Sequence, residues 1–166
     1  MRRMVTMGLL FALVGCASGR RASRSGVPGY AGGDTSCVPY ARQRSGLRIS
    51  GDAWQWWEAS AGGYDRSRSP RVGSVLVFLR TSRNPQGHVA VVSRLVSARE
   101  IRVDHANWGT GRARGQIARD QPVIDVSGRG DWSLVQVWYP PADDFGATSF
   151  PTYGFIHGGT LMAEAR

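Results

Sequence analysis

Lysine is absent from this sequence: all 21 basic residues are arginine. Against 12 acidic residues they leave a formal charge of +9, which by itself gives only non-specific attraction to polyanions. No dense basic run, zinc-finger spacing or aromatic-basic motif of the usual RNA binders accompanies that charge, so nucleic acid is not an expected partner. The guanidinium fork does suit carboxylate and phosphate groups, which it can grip with two parallel hydrogen bonds. Cysteine is scarce too, with only Cys16 and Cys37, and the three histidines are scattered. Neither forms a metal-ligand spacing, so no metal is expected. Long apolar runs are also missing. The longest, Val5 to Val14, falls well short of the roughly 20 residues a membrane-spanning helix needs. Six tryptophans and a hydrophobic fraction of 42% nevertheless exclude a disordered chain and suit one globular domain with a short appendage.

The N-terminus, "MRRMVTMGLLFALVGCASG", places two arginines before that apolar run and small residues after it. This is the layout of a secretory signal. Its ending, Leu13-Val14-Gly15-Cys16, resembles the bacterial lipobox, which implies that residues 1–16 are a signal and that Cys16 becomes the lipidated first residue. Ordinary cleavage just beyond Cys16 is the alternative. Ala17 stands where an inner-membrane retention signal usually places Asp, so the expected address is the outer membrane, facing the periplasm. Each buried methylene of an attached lipid contributes about 0.8 kcal/mol, so several chains hold durably. Either fate of Cys16 leaves Cys37 with no disulfide partner in the chain. A lone thiol in an oxidising compartment is a liability unless it has a use. It is either buried filler or a nucleophile.

Residues 17–33 are rich in Gly, Ser and Arg without apolar periodicity and read as a flexible tether. A domain is expected over 34–158, followed by a tail at 159–166. Asp34, Thr35 and Ser36 are helix-capping types, Pro39 fits only a first turn, and Gly46 suits a helix end. Cys37 therefore lies at or near a helix start. "DAWQWWEASA" reads as a second helix. Beyond Pro70, "VGSVLVFLR", "HVAVVSRLV", "EIRVDHANW", "PVIDVS" and "WSLVQVWY" are short β-rich runs between turn residues. Helices first and strands afterwards predict an α+β domain with an antiparallel sheet.

A helix start favours an anion, so it should lower the pKa of the Cys37 thiol, and its free N–H groups can receive an oxyanion. The base must be a histidine. His88 opens a strand and so lies at the rim of the sheet. Alternation puts Ile101, Val103, His105 and Asn107 on one face and Arg102, Asp104, Ala106 and Trp108 on the other. A polar pair among core-directed residues must be hydrogen-bonded, which is what an orienting third member would be. His157 has no such context and reads as a surface residue.

The order "SCVPYAR … GDAWQWW … VGSVLVF … GHVAVVS … IRVDHANWG" resembles the CHAP domain, the cysteine- and histidine-dependent amidohydrolase/peptidase family. The resemblance implies a papain-like α+β fold, with helices on a curled antiparallel sheet, and cleavage of amide bonds in peptidoglycan. It implies Cys37 as nucleophile and His88 as general base. The family usually has an acidic residue three before the Trp and Asn one before it; this chain has His105 and Asn107 there. His105 is the first choice of orienter, Asn107 the second and Asp104 the third. Some members carry an acidic calcium loop before the nucleophile, but "GYAGGDTSC" has a single Asp, too few oxygen ligands for calcium. No cofactor is implied. The glutamine common near the nucleophile in this fold is missing, which leaves the oxyanion donors beyond the Cys37 N–H unidentified. Trp54, with Trp56 and Trp57, either stacks on sugars or belongs to the core. Arg112 and Arg114 either meet stem-peptide carboxylates or form a solvated loop. The expected protein is a monomeric, lipid-anchored peptidoglycan amidase or cross-link endopeptidase. The alternative is an envelope lipoprotein that binds peptidoglycan without cutting it.

Overall fold

The computed structural model describes residues 30–31, 35–109 and 113–158. The signal, Cys16, most of the tether, Asp34, Arg112 and the tail at 159–166 lie outside the described residues. Helix α1 (Cys37–Ser45) starts after an extended Ser36 and ends at Gly46. Gly46 adopts a left-handed φ of 75° and donates its N–H to the Arg42 carbonyl at 2.9 Å, the conformation glycine permits at least cost. The second expected helix is shorter than its sequence suggests. A 3-10 turn at Ala53–Gln55, closed by a capping box between Asp52 and Gln55, leads into α2 (Trp56–Ala59). Ser60 then donates its hydroxyl to the Trp57 carbonyl and the chain turns.

Eight strands follow or flank these helices: β1 (Tyr30–Ala31), β2 (Asp65–Ser67), β3 (Val75–Phe78), β4 (His88–Ser97), β5 (Glu100–Ala106), β6 (Ile117–Asp125), β7 (Leu134–Tyr139) and β8 (Asp144–His157). Every pairing is antiparallel. Strand β3 pairs with β4, β4 with β5, β5 with β6, β6 with β7, β7 with β8, and β8 returns to β3. The sheet therefore closes on itself as a six-stranded ring, with β1 added to β6 and β2 to β8. Tyr30–Ala31, at the end of the stretch expected to be a tether, pair with Ala118 and Ile117.

Closure divides the apolar residues into two clusters. Leu76, Phe78, Ala90, Val92, Ile101, Val103, Val123, Val135, Val137 and Phe155 fill the interior of the ring. The alternate residues Val75, Val77, Val89 and Val91 point outward and are buried with Ala41, Leu47, Ile49 and Trp56. Strand β3 is covered on both sides, so its sequence is a continuous apolar run and not an alternating one. Full burial of each such side chain contributes roughly 1.5–3 kcal/mol.

Gly154 shows how tightly the additional strand sits. Its φ is 131°, and a Cβ there would stand 2.5 Å from the Ser67 carbonyl oxygen and 3.2 Å from the Trp57 ring. Gly154→Ala is expected to destabilise the fold by about 2–4 kcal/mol, measured as a fall in ΔG from chemical denaturation. A change within about 0.5 kcal/mol would show that β2 yields there at little cost.

The expected surface position of His157 is corrected by the structure. At the end of β8 it is buried, with Nε2 2.8 Å from the Ser67 hydroxyl. Its pairing opposite Asp65 carries it under the added strand β2, a strand too short and polar to announce itself in sequence.

Candidate active site

Strand β4 begins with His88, paired opposite Phe78 at the end of β3. The nine residues between them form a loop over the rim of the ring. Gly87 closes that loop with a φ of 66°. A Cβ there would stand 2.9 Å from the Phe78 carbonyl and from the Trp54 backbone nitrogen, so only glycine fits. The 3-10 turn is thereby held against the loop, with the Trp54 N–H donating to the Gln86 carbonyl at 3.2 Å. The N-terminus of α1 faces the same rim. Cys37, Asp52, Asn84, Gln86, His88 and Asn107 line one cleft of about 380 Å³. Thiol and imidazole thus come from opposite sides of the sheet wall and line one cleft where the wall ends.

His105 stands beside His88 on the inner face, as the alternation requires. Their rings meet edge to face, with His88 Nε2 3.1 Å from His105 Nδ1. One of these nitrogens must donate and the other accept. With the proton on His88 Nε2, the lone pair of His88 Nδ1 is left for a second partner. His105 is then protonated at Nε2, an atom that is buried with no hydrogen-bond partner among the described residues. Trp108 covers both imidazoles, with ring centroids 4.6 Å from His88 and 5.6 Å from His105. Phe78 packs against His88, and Phe150 against Trp108.

This burial sets the protonation states. Desolvation, with the neighbouring His105 adding to it, holds the His88 pKa well below the usual imidazole range. Burial pushes His105 down to about 4, against a small opposing pull from Asp104. Cys37 departs from expectation. Burial raises the pKa of its thiol above the ordinary value, and the Asp52 carboxylate adds to the rise. The backbone N–H groups of Val89, Cys37 and Val38 act in the predicted, lowering direction but are outweighed. Sequence reasoning counted the helix start and omitted the cost of placing a charge in a half-buried cleft. At neutral pH the two groups are an uncharged thiol and an uncharged imidazole.

The other expected residues separate clearly. Asp104 lies on the opposite face of β5, ion-paired with Arg44 Nε at 2.8 Å and accepting the Asp120 N–H at 2.9 Å. Asn107 is exposed, with a left-handed φ of 57°. Its Oδ1 accepts the Gly115 N–H at 2.8 Å, which ties the turn between β5 and β6. It lines the cleft but makes no hydrogen bond to His88. Trp56 is wholly buried and belongs to the core. Trp57 is stacked on Tyr153 at 5.8 Å, and Trp54 lies under the Arg80 guanidinium, 5.0 Å away. Arg114 is exposed and lines neither this cleft nor the next.

Sequence reasoning missed the second half of the site. Beyond His88 the cleft continues past Asn84 and Asn107 into a wider one of about 460 Å³, floored by Trp108, Tyr139 and Phe150. His88 therefore sits midway along a groove that is polar on the Cys37 side and aromatic on the other. "NPQG" before His88 signalled only a turn, and Phe150 comes from the unrecognised strand β8. Among the described residues no group of three or more His, Cys, Asp or Glu could hold a metal ion.

The CHAP domain family model matches residues 27–107, a span that contains Cys37, His88, His105 and Asn107. No curated protein matches the chain. Among solved structures it is similar to the crystal structure of Ly7917, at 23% identity and a TM-score of 0.37. That match covers 56% of this chain and 49% of the other, so it spans about half of that protein's length. It is also similar to the crystal structure of Ly7917 with the hydrolyzing product of MDP, at 16% identity and a TM-score of 0.36. That second match covers 78% of this chain and 86% of the other.

Proposed function

We propose that this chain, which carries a CHAP domain over residues 27–107, is a peptidoglycan hydrolase that cuts amide bonds with Cys37 as nucleophile and His88 as base. One observation carries the reading: Cys37 and His88 share a cleft, and the Nε2 atom of His88 is hydrogen-bonded to His105. A thiol on a helix start facing an imidazole on a sheet is the arrangement of papain-like hydrolases, and the proposal extends to that fold.

His88 Nδ1 takes the Cys37 proton as the sulfur attacks the scissile carbonyl carbon and forms the C–S bond. Because both groups are neutral at rest, the proton moves in concert with attack and no ion pair is stored beforehand. Backbone N–H groups at the start of α1 hold the oxyanion. The His88 imidazolium, still bonded to His105, then gives its proton to the leaving amine nitrogen as the C–N bond breaks. Water, deprotonated by His88, hydrolyses the thioester and restores the thiol. His105 is the positioning residue, and Asn107 serves the shape of the loop.

Digestion of purified peptidoglycan followed by mass spectrometry of the products tests the reading. Free stem peptides beginning at L-alanine identify an N-acetylmuramoyl-L-alanine amidase, and split cross-links an endopeptidase. Wall binding with no product would replace the enzyme with a binding lipoprotein. The lipobox-like "LVGC" supports a lipid anchor on Cys16 in the outer membrane, facing the periplasm. Cys16→Ala is then expected to move the expressed protein from the detergent phase to the aqueous phase. Equal partition of the variant and the parent would refute the anchor.

A further inference from the structure

At the other end of α1 from Cys37, a cavity of about 390 Å³ opens outside the ring. It is lined by Arg44 and Ser45 of α1, Arg71 before β3, Ser93 of β4 and His157 of β8. Two of its polar atoms, Ser93 Oγ and His157 Nδ1, are buried with no hydrogen-bond partner among the described residues. His157 itself is only 5% exposed. A buried polar atom without a partner is costly, so such atoms mark a place where something else bonds.

The surrounding charges say what that is. The Arg71 guanidinium makes no hydrogen bond or ion pair among the described residues, and its charge adds to the burial that lowers the His157 pKa. Arg44 commits Nε to Asp104, which leaves its terminal N–H groups unbonded among the described residues. Asp104 balances the Arg44 charge. Asp65 acts on His157 in the opposite sense to Arg71 but does not line the cavity. Among the described residues that line the cavity, Arg71 is therefore the uncompensated cation. His157 Nε2 meets the Ser67 hydroxyl. The same hydroxyl lies 3.1 Å from the Ser69 carbonyl, its other acceptor; when it turns to donate to His157, Nδ1 carries the imidazole proton and stands as a third donor beside the two arginines.

We infer that this cavity binds an oxyanion group, a carboxylate or a phosphate, through Arg71, the terminal N–H groups of Arg44, the Ser93 hydroxyl and His157 Nδ1. Helix α1 separates it from Cys37 by about 12 Å, at 1.5 Å per residue. A polymer carrying repeated acidic groups spans both places at once. Only the identity of that polymer rests on the function proposed above; oxyanion binding does not.

The full chain is titrated separately with inorganic phosphate and with N-acetyl-D-alanine at constant ionic strength, and the ring signals of the three histidines are followed by NMR. The expected result is a saturable shift of His157 with at least one probe, while His88 and His105 stay in place. Arg71→Ala should weaken that binding about tenfold, the loss of one charge-assisted contact, with the His88 and His105 signals confirming that the fold persists. A response to phosphate alone points to a phosphate-bearing partner, and one to N-acetyl-D-alanine alone to a stem-peptide carboxylate. No shift of His157 with either probe, equal shifts of all three histidines, or unchanged affinity in Arg71→Ala would overturn the site. Hydrolytic activity is not needed for the measurement, so failure here and failure of the proposed reaction are distinct results.

Discussion

Cys37→Ser is expected to lower peptidoglycan cleavage by roughly four to six orders of magnitude, the scale seen when a covalent nucleophile is removed from a catalytic unit. The substitution exchanges sulfur for a smaller oxygen in a half-buried cleft, so the fold and sedimentation with the wall should persist. The hydroxyl fails because its proton is far harder to remove. His88, held neutral and weakly basic by burial, matches a thiol much better than an alcohol. Product release measured by mass spectrometry, with wall sedimentation in parallel, checks both halves. Cleavage by the variant within tenfold of wild type would eliminate Cys37 as nucleophile.

His105→Ala should reduce kcat by about two to four orders of magnitude, as loss of a base's orienting partner does elsewhere. It should also move the acid limb of kcat/KM. In the intact site His88 must be neutral to accept a proton, and burial together with His105 keeps its pKa well below 6.5. Activity is then flat through neutrality and falls only in distinctly acidic solution. Without His105, protonated His88 loses an unfavourable neighbour and gains access to water, so its pKa rises and the limb shifts toward 6.5. His105→Asn, whose side-chain oxygen can accept the His88 N–H, should restore part of kcat. A drop in activity with an unmoved acid limb, and no recovery in the Asn variant, would assign His105 a purely structural role. The same burial couples the pair to folding. The unfolded chain takes up protons on these histidines below about pH 6.5, whereas the folded chain resists. Stability is therefore lost as pH falls from there through about 4, where His105 titrates.

How much of this was readable from the sequence depended on how local each signal was. The start of α1, its glycine stop and strands β3, β4, β5 and β7 follow from capping residues and short β-rich runs between turn residues. So does the placement of His105 inward and Asp104 outward, because side-chain alternation is a property of one strand alone. Strand β8 escaped because Pro151 and two glycines interrupt it; it is held by pairing on both sides with β3 and β7. Closure of the ring depends on those distant pairings, and with it the aromatic half of the groove. The Cys37 pKa was misjudged for a related reason. A helix start can be recognised from four residues, but the depth of a cleft built from four separate segments cannot.

The closed ring also distributes rigidity unequally across the reaction. His88 and His105 are carried by adjacent strands of a barrel whose six members brace one another, so the spacing between the two imidazoles changes only if the barrel opens. Cys37 rides instead on a helix of nine residues, too short to persist in isolation, and held to the barrel wall by the packing of Cys37, Val38 and Ala41 and by the Arg44–Asp104 ion pair. Loosening that helix separates thiol from imidazole while leaving the barrel whole. Under the proposed reaction, catalytic competence is thus mechanically softer than the fold that supports it, and anything that grips α1 sets the distance across which the proton would pass.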